Sequence, residues 1–246
     1  MAKKFNGDAG RQPLIIYGRH AVMAALANKN RQINKLMCTA EAAAELGKSI
    51  KIKPQIAERK EIDKLLGNDA VHQGFVAFAQ RLEEWNLDEL IEAAQVQKDC
   101  HILVLDQVTD PQNVGAIIRS AVAFDTLALV MQDKNSPLES GAMDKAAAGM
   151  IEYLPIVRVT NLSRALEQLK QVGFWVVGMD GYAKTTISEM KKGGKIAVVM
   201  GSEGKGMRRL VEESCDIAVK LPISNKTESL NVATAAAIAL YEINKK

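Results

Sequence analysis

Between residues 101 and 221 the chain repeats one pattern: short apolar runs at 101–105, 127–131, 154–159, 174–179, 196–200 and 217–221, separated in the first half by helix-patterned segments at 114–124, 139–150 and 162–172. The runs are continuously apolar, as in Ile-Ala-Val-Val-Met at 196–200, and do not alternate with polar residues. A strand of that kind is covered on both faces, and its alternation with helices predicts an α/β fold built on a parallel, doubly wound sheet. Ligands of such sheets bind beyond the carboxyl ends of the strands, so the loops after Leu105, Met200 and Leu221 are the ones to read for chemistry.

The first third of the chain reads differently. Helices are predicted at 19–27 and 40–48, and strands at 36–39 and at 71–79 after the turn Gly67-Asn68-Asp69, which makes a small α/β unit. Charge divides the chain at the same place: residues 1–81 hold 14 Lys and Arg against 7 Asp and Glu, whereas residues 82–246 hold 18 against 22. A basic module fits phosphate neutralisation on nucleic acid, and a solvated lysine surface fits equally well, so charge alone does not choose. Residues 82–98 are acidic and read as a linker running into an amphipathic helix. The predicted division is therefore 1–81, 82–98 and 99–246.

With 48% hydrophobic and 25% charged residues in 246, the chain can bury a sizeable core, which excludes disorder and coiled coil as readings. The longest mostly apolar stretch, 232–243, is 12 residues and contains Thr234 and Glu242, short of the roughly 18 that a membrane span needs. No apolar segment follows the charged start, so no secretory signal is read, and a cytoplasmic protein is expected. Cys38, Cys100 and Cys215 lie far apart and are expected to be reduced thiols. His20, His72 and His101 do not stand at metal-ligand spacing, so no metal is expected; a structural hydrogen-bonding role is preferred for His72.

Three loops carry candidate chemistry. The first, 106–115, places Asp110 and Pro111 at a helix start, with Asn113 and Arg119 able to face one ligand from the first two turns. The second, Gly201-Ser202-Glu203-Gly204-Lys205-Gly206, lets backbone approach a ligand but matches neither common phosphate-binding fingerprint. A carboxylate inside a glycine-rich loop is an unusual place for a merely solvated group. The third, 221–232, leads into a small-residue helix at 233–240, with Ser229 read as a possible N-cap and Asn231 as an early helical residue.

Taken in order, Asp-Pro-x-Asn-x-Gly-x-x-x-Arg-Ser-Ala, Gly-x-Glu-Gly-x-Gly and Leu-Pro-Ile…Ser-Leu-Asn-Val resemble the three motifs of SpoU-type RNA methyltransferases. Tyr17-Gly18-Arg19-His20-Ala21-Val22 and Val71-His72-Gln73-Gly74 resemble the substrate-binding domain of the bacterial 23S rRNA guanosine-2′-O-methyltransferase group. The resemblance covers nearly the whole chain. It departs from the family pattern at Asn225, where glycine is usual, at Ala233 and across Ala147-Ala148-Gly149-Met150.

That resemblance implies a carboxyl-terminal trefoil knot, S-adenosylmethionine as cofactor, a homodimer, and a ribosomal-protein-like RNA-binding domain in the first 80 or so residues. It implies catalytic and substrate-positioning places for Asn113, Arg119, Glu203, Ser229 and Asn231, and cofactor contacts at Gly201, Leu221, Ile223 and Leu230. The implied reaction methylates a ribose 2′-hydroxyl, with a guanosine of 23S rRNA as the first target to consider. Arg119 would bind the phosphate beside the target ribose while Ser229 and Asn231 hold the hydroxyl in line. Alternatives are a tRNA 2′-O-methyltransferase and a non-catalytic RNA-binding ribosome-assembly protein; a small-molecule nucleotide enzyme is disfavoured by the missing phosphate fingerprints.

Overall fold

The computed structural model describes residues 13–47, 50, 52–67, 69–191 and 193–245. The amino-terminal stretch read for a signal, Lys48 at the end of a predicted helix and Asn68 of a predicted turn lie outside the described residues. The chain divides into two compact units, with the division between Arg81 and Leu82.

The first unit is a four-stranded mixed sheet. Its strands are β1 (Leu14–Tyr17), β2 (Ile33–Cys38), β3 (Gln55–Ile56) and β4 (Phe75–Ala79), in the order β1-β4-β2-β3, with β4 antiparallel to both neighbours and β3 parallel to β2. Along β1 successive side chains point to opposite faces. Leu14 and Ile16 enter a core with α1 (Arg19–Ala27) and α2 (Ala40–Ala44), while Ile15 and Tyr17 pack towards Ile62 of α3 (Arg59–Leu66). The strand predicted at 71–79 begins only at Phe75, because Gln73 (φ 54°) and Gly74 (φ 81°) turn the chain before it. His72 is 1% exposed; its Nε2 lies 2.9 Å from Asp63 Oδ1 and its Nδ1 accepts the Gly74 N–H at 3.1 Å, so it holds that turn.

The second unit starts with α4 (Leu87–Gln95), opened by a capping box in which Asn86 and Glu89 satisfy one another's backbone amides. A seven-stranded, wholly parallel sheet follows, in the order β7-β6-β5-β10-β8-β11-β9. Its strands are β5 (Cys100–Leu105), β6 (Leu129–Gln132), β7 (Ile156–Val159), β8 (Phe174–Met179), the two-residue edge β9 (Thr185–Thr186), β10 (Lys195–Met200) and β11 (Ile217–Lys220). Each of the six predicted apolar runs overlaps one of the longer strands, with bounds that differ by up to two residues.

The continuous apolarity has the expected cause. On β5, Leu103 and Leu105 pack beneath α5 (Pro111–Ala123), α6 (Gly141–Ala147) and α9 (Val232–Asn244), while Ile102 and Val104 pack against α4, α7 (Leu162–Gln171) and α8 (Arg209–Glu213). Gly115 sets the distance between α5 and α6: a Cβ there would lie 2.4 Å from the Met143 carbonyl oxygen. Among the described residues no helix is long and apolar enough to cross a membrane.

Candidate active site

At the carboxyl edge of the second unit's sheet lies a cleft of about 430 Å³, within the range of small-molecule sites. Its walls are the segments that follow β8, β10 and β11 together with the start of α9. Gly201, Leu221, Ile223 and Leu230, the four predicted cofactor residues, all line it, as do Glu203 and Ser229. The loop after β8, with Asp180 and Tyr182, also lines it and was not singled out from sequence. Its position at the carboxyl end of a strand is the signal that would have found it.

The loop after β10 is a closed hairpin. Ser202 and Gly206 exchange N–H···O bonds at 3.1 and 3.0 Å. Gly201 is required by this closure, since a Cβ there would meet the Gly206 carbonyl carbon at 2.2 Å and the Met207 nitrogen at 2.4 Å.

From that hairpin Glu203 reaches the start of α9, where its Oε1 accepts the Val232 N–H at 2.9 Å and Asn231 Nδ2 at 2.8 Å. A carboxylate at a helix N-terminus meets both an unpaired amide and the positive end of the helix dipole. Asn231 Nδ2 also donates to Asn113 Oδ1 at 2.9 Å. Asn231 Oδ1 accepts the Ala233 and Thr234 N–H groups at 3.0 and 3.3 Å, which makes Asn231, and not Ser229, the N-cap of α9. These two bonds also settle which end of its carboxamide donates. Three residues read from separate loops are thus joined by direct hydrogen bonds.

Asn113 sits in the first turn of α5, which Asp110 caps through the Gln112 N–H at 3.0 Å and Pro111 opens. Arg119 is six residues further along the same helix, which at about 100° per residue leaves roughly 120° between the two side chains. Arg119 is exposed, and its side chain makes no hydrogen bond or ion pair with another described residue. The Ser229 carbonyl accepts from Thr227 Oγ1 at 3.0 Å, and the Ser229 hydroxyl is bonded to no described residue. Asn225, in the family's glycine position, lies in a turn without positive φ, so that turn does not require glycine.

Cleft charge points to the class of ligand. Asp180, Glu203, Glu212 and Glu228 line it against Lys205 and Lys220, a field that favours a cationic group over a phosphate. No group of His, Cys, Asp and Glu among the described residues is arranged to hold a metal ion.

A model of the SpoU rRNA methylase family matches residues 101–241, and a model for RNA 2′-O ribose methyltransferase substrate binding matches residues 15–85. The chain belongs to the SpoU rRNA methylase family. Among its relatives is the 23S rRNA (guanosine-2′-O-)-methyltransferase RlmB of Pseudomonas putida, 38% identical over 237 residues and covering 92% of this chain and 94% of that protein. A longer, uncharacterized tRNA/rRNA methyltransferase of Synechocystis is 37% identical over 237 residues; 93% of this chain is covered, but only 62% of that relative. In fold, the chain matches the SpoU methyltransferase AviRb of Streptomyces viridochromogenes, crystallised with AdoMet, at a TM-score of 0.79 and 20% identity, over 95% of this chain and 90% of that one. The SpoU match falls on the unit that holds the cleft, and the substrate-binding match falls largely on the basic one.

Proposed function

We propose that this SpoU family member transfers a methyl group from S-adenosylmethionine to a ribose 2′-hydroxyl of RNA, with a guanosine of 23S rRNA as its target. The observation that carries the reading is the Glu203, Asn231 and Asn113 hydrogen-bond web beside a cleft lined by both apolar and acidic side chains. Leu221, Ile223 and Leu230 suit the flat, weakly polar surface of adenine, and the carboxylates suit a ligand that carries a sulfonium and an ammonium. When bound, S-adenosylmethionine supplies an electrophilic methyl group on sulfur.

What the chain's own residues do follows from which of their groups are already used. Both amide hydrogens of Asn231 and its oxygen are engaged, so it organises the site and does not itself hold the 2′-hydroxyl. The Ser229 hydroxyl and the Asn113 Nδ2 group, bonded to no described residue, are left to position the ribose. The planar Arg119 guanidinium, with its fork of N–H donors, serves as a phosphate anchor that stabilises the developing alkoxide. Aligning the hydroxyl oxygen with the methyl group supplies most of the remaining rate enhancement.

The basic first unit, with its match to a substrate-binding family, delivers the RNA in this reading. The reading includes a trefoil knot around the cleft, a homodimer and action in the cytoplasm. The exposed Ile238 and Tyr241 on α9 favour a covered surface there.

The test is tritiated methyl transfer to unmodified rRNA by the wild type and by Arg119→Ala, beside a calorimetric titration with S-adenosylmethionine. Ribose-bound label that disappears in Arg119→Ala, at unchanged cofactor affinity, supports the assignment. Normal turnover without Arg119 refutes its role, and absence of cofactor binding refutes the enzyme.

A further inference from the structure

Asp106 follows the last residue of β5 and is completely buried. A carboxylate in that position needs a cation and further donors, or its desolvation is uncompensated. It has both. Arg208 donates its backbone N–H to Oδ2 at 2.7 Å, and its Nε and Nη2 to Oδ1 at 2.8 and 2.7 Å. The Asp106 backbone N–H, in turn, donates to the Met200 carbonyl at 2.8 Å.

Met200 and Arg208 are the two stems of the hairpin that carries Glu203. A single residue of the β5 loop therefore ties both ends of the β10 loop, across 102 positions of sequence in the case of Arg208. The hairpin's free end is tied by Glu203 to Asn231 and through it to Asn113, which lies seven residues after Asp106. Glu203 thus stands at the far end of a loop whose base is held at Met200 by the Asp106 backbone and at Arg208 by an ion pair to the buried Asp106 carboxylate.

We infer that Asp106 and Arg208 are positioning residues of the methyl-transfer site: their ion pair fixes the hairpin so that the Glu203 carboxylate meets the start of α9. This rests on the methyltransferase reading above. Stability alone is a weak reason for such a pair, since a partly exposed guanidinium adds little and a buried charge costs desolvation, whereas two guanidinium N–H groups on Oδ1 and the Arg208 backbone N–H on Oδ2 fix the hairpin's second stem against the β5 loop. Neither residue touches the cleft in this role; both act through Glu203.

The test uses the full-length protein with Arg208→Lys, which keeps the charge but not the two-point grip, and Asp106→Asn, which keeps the shape but not the charge. Each is made alone and together with Glu203→Gln. Two local amides report the geometry: Gly206, bonded to the Ser202 carbonyl, and Val232, bonded to Glu203. Expected are faster hydrogen exchange at both amides, a kcat lower by about ten- to a hundredfold with the KM for rRNA unchanged, and no further loss when the substitution is added to Glu203→Gln.

Folded single variants that keep kcat within about twofold of wild type would overturn the inference, as would losses that simply multiply with that of Glu203→Gln. If Asp106→Asn does not fold, Arg208→Lys decides alone. A wild-type protein that neither binds S-adenosylmethionine nor transfers methyl sinks the underlying reading, and the two amides then still decide whether the ion pair sets Glu203.

Discussion

Replacing Gly201 by alanine is the sharpest probe of the cleft. The added methyl would sit 2.2 Å from the Gly206 carbonyl carbon, 2.4 Å from the Met207 nitrogen and 2.6 Å from the Gly206 oxygen. All three neighbours are backbone, so no side chain can swing away. The hairpin must open at its neck, which loses the two Ser202–Gly206 bonds at about 1 kcal/mol each and adds overpacking strain of about 1–3 kcal/mol. A total of about 3–5 kcal/mol lowers Tm by roughly 6–20 °C for a domain of this size.

Gly181, in the cleft-lining loop after β8, is the control, because nothing lies within 4 Å of its Cβ position and its φ is not positive. Gly181→Ala should therefore match wild type or gain a few tenths of a kcal/mol. Thermal unfolding and calorimetric titration with S-adenosylmethionine, run on both variants, separate the two sites. Gly201→Ala with wild-type Tm and wild-type cofactor affinity would show that the hairpin is neither rigid nor part of the binding surface, and the steric argument would fail.

Three further outcomes are expected. Asn231→Ala removes the α9 cap at a cost of about 1 kcal/mol, whereas Asn231→Asp keeps the cap but sets a carboxylate against Glu203 and the Asn113 oxygen; methyl transfer should fall in both, with Tm falling mainly in the alanine variant. Burial lowers the pKa of His101, partly opposed by the Phe124 carbonyl and Asp125. The unfolded chain therefore takes up this proton first, and stability should fall as pH drops below about 6.5 towards the folded pKa. Denaturant midpoints of wild type and His101→Gln should converge as pH falls through that window; parallel curves would refute the coupling. Burial pushes Cys38 up to about 11, Cys215 to about 12 and Cys100 in the same direction. A disulfide reagent at pH 8 should therefore label the native thiols slowly, Cys38 slowest, and titrate all three in denaturant, and native labelling as fast as in denaturant would contradict their raised pKa values.

The sheet was legible in the sequence because burial on both faces leaves one unmistakable composition, seen in Ile-Ala-Val-Val-Met at 196–200. The first unit was less legible. Strand β1 is four residues long at a sheet edge, and α3, Arg-Lys-Glu-Ile-Asp-Lys-Leu-Leu, buries only Ile62, so charged residues mask its apolar stripe. At the site, motif spacing brought Glu203, Asn113 and Asn231 into one reading, and the structure bonds them directly. The cap was misplaced by two residues, since Ser and Asn are both good N-caps and sequence does not say which one the helix begins after. The Asp106 and Arg208 pair lay beyond sequence reading, because nothing local links residues 102 positions apart.

The order β5-β10-β8 also governs when the enzyme can exist during synthesis. Strand β10 is flanked by two strands made before it, with Lys195 set against Cys100 on one side and Phe174 on the other. Until it leaves the ribosome, β5 and β8 each present an open parallel edge of unpaired amides and carbonyls, the kind of surface that recruits foreign strands. Closing those edges still leaves the site unmade, because the Glu203 carboxylate has no partner until Asn231 and Val232 arrive. Catalytic competence is therefore acquired only after every strand is in place, and a nascent chain halted at residue 230 would carry the whole described sheet and none of the activity.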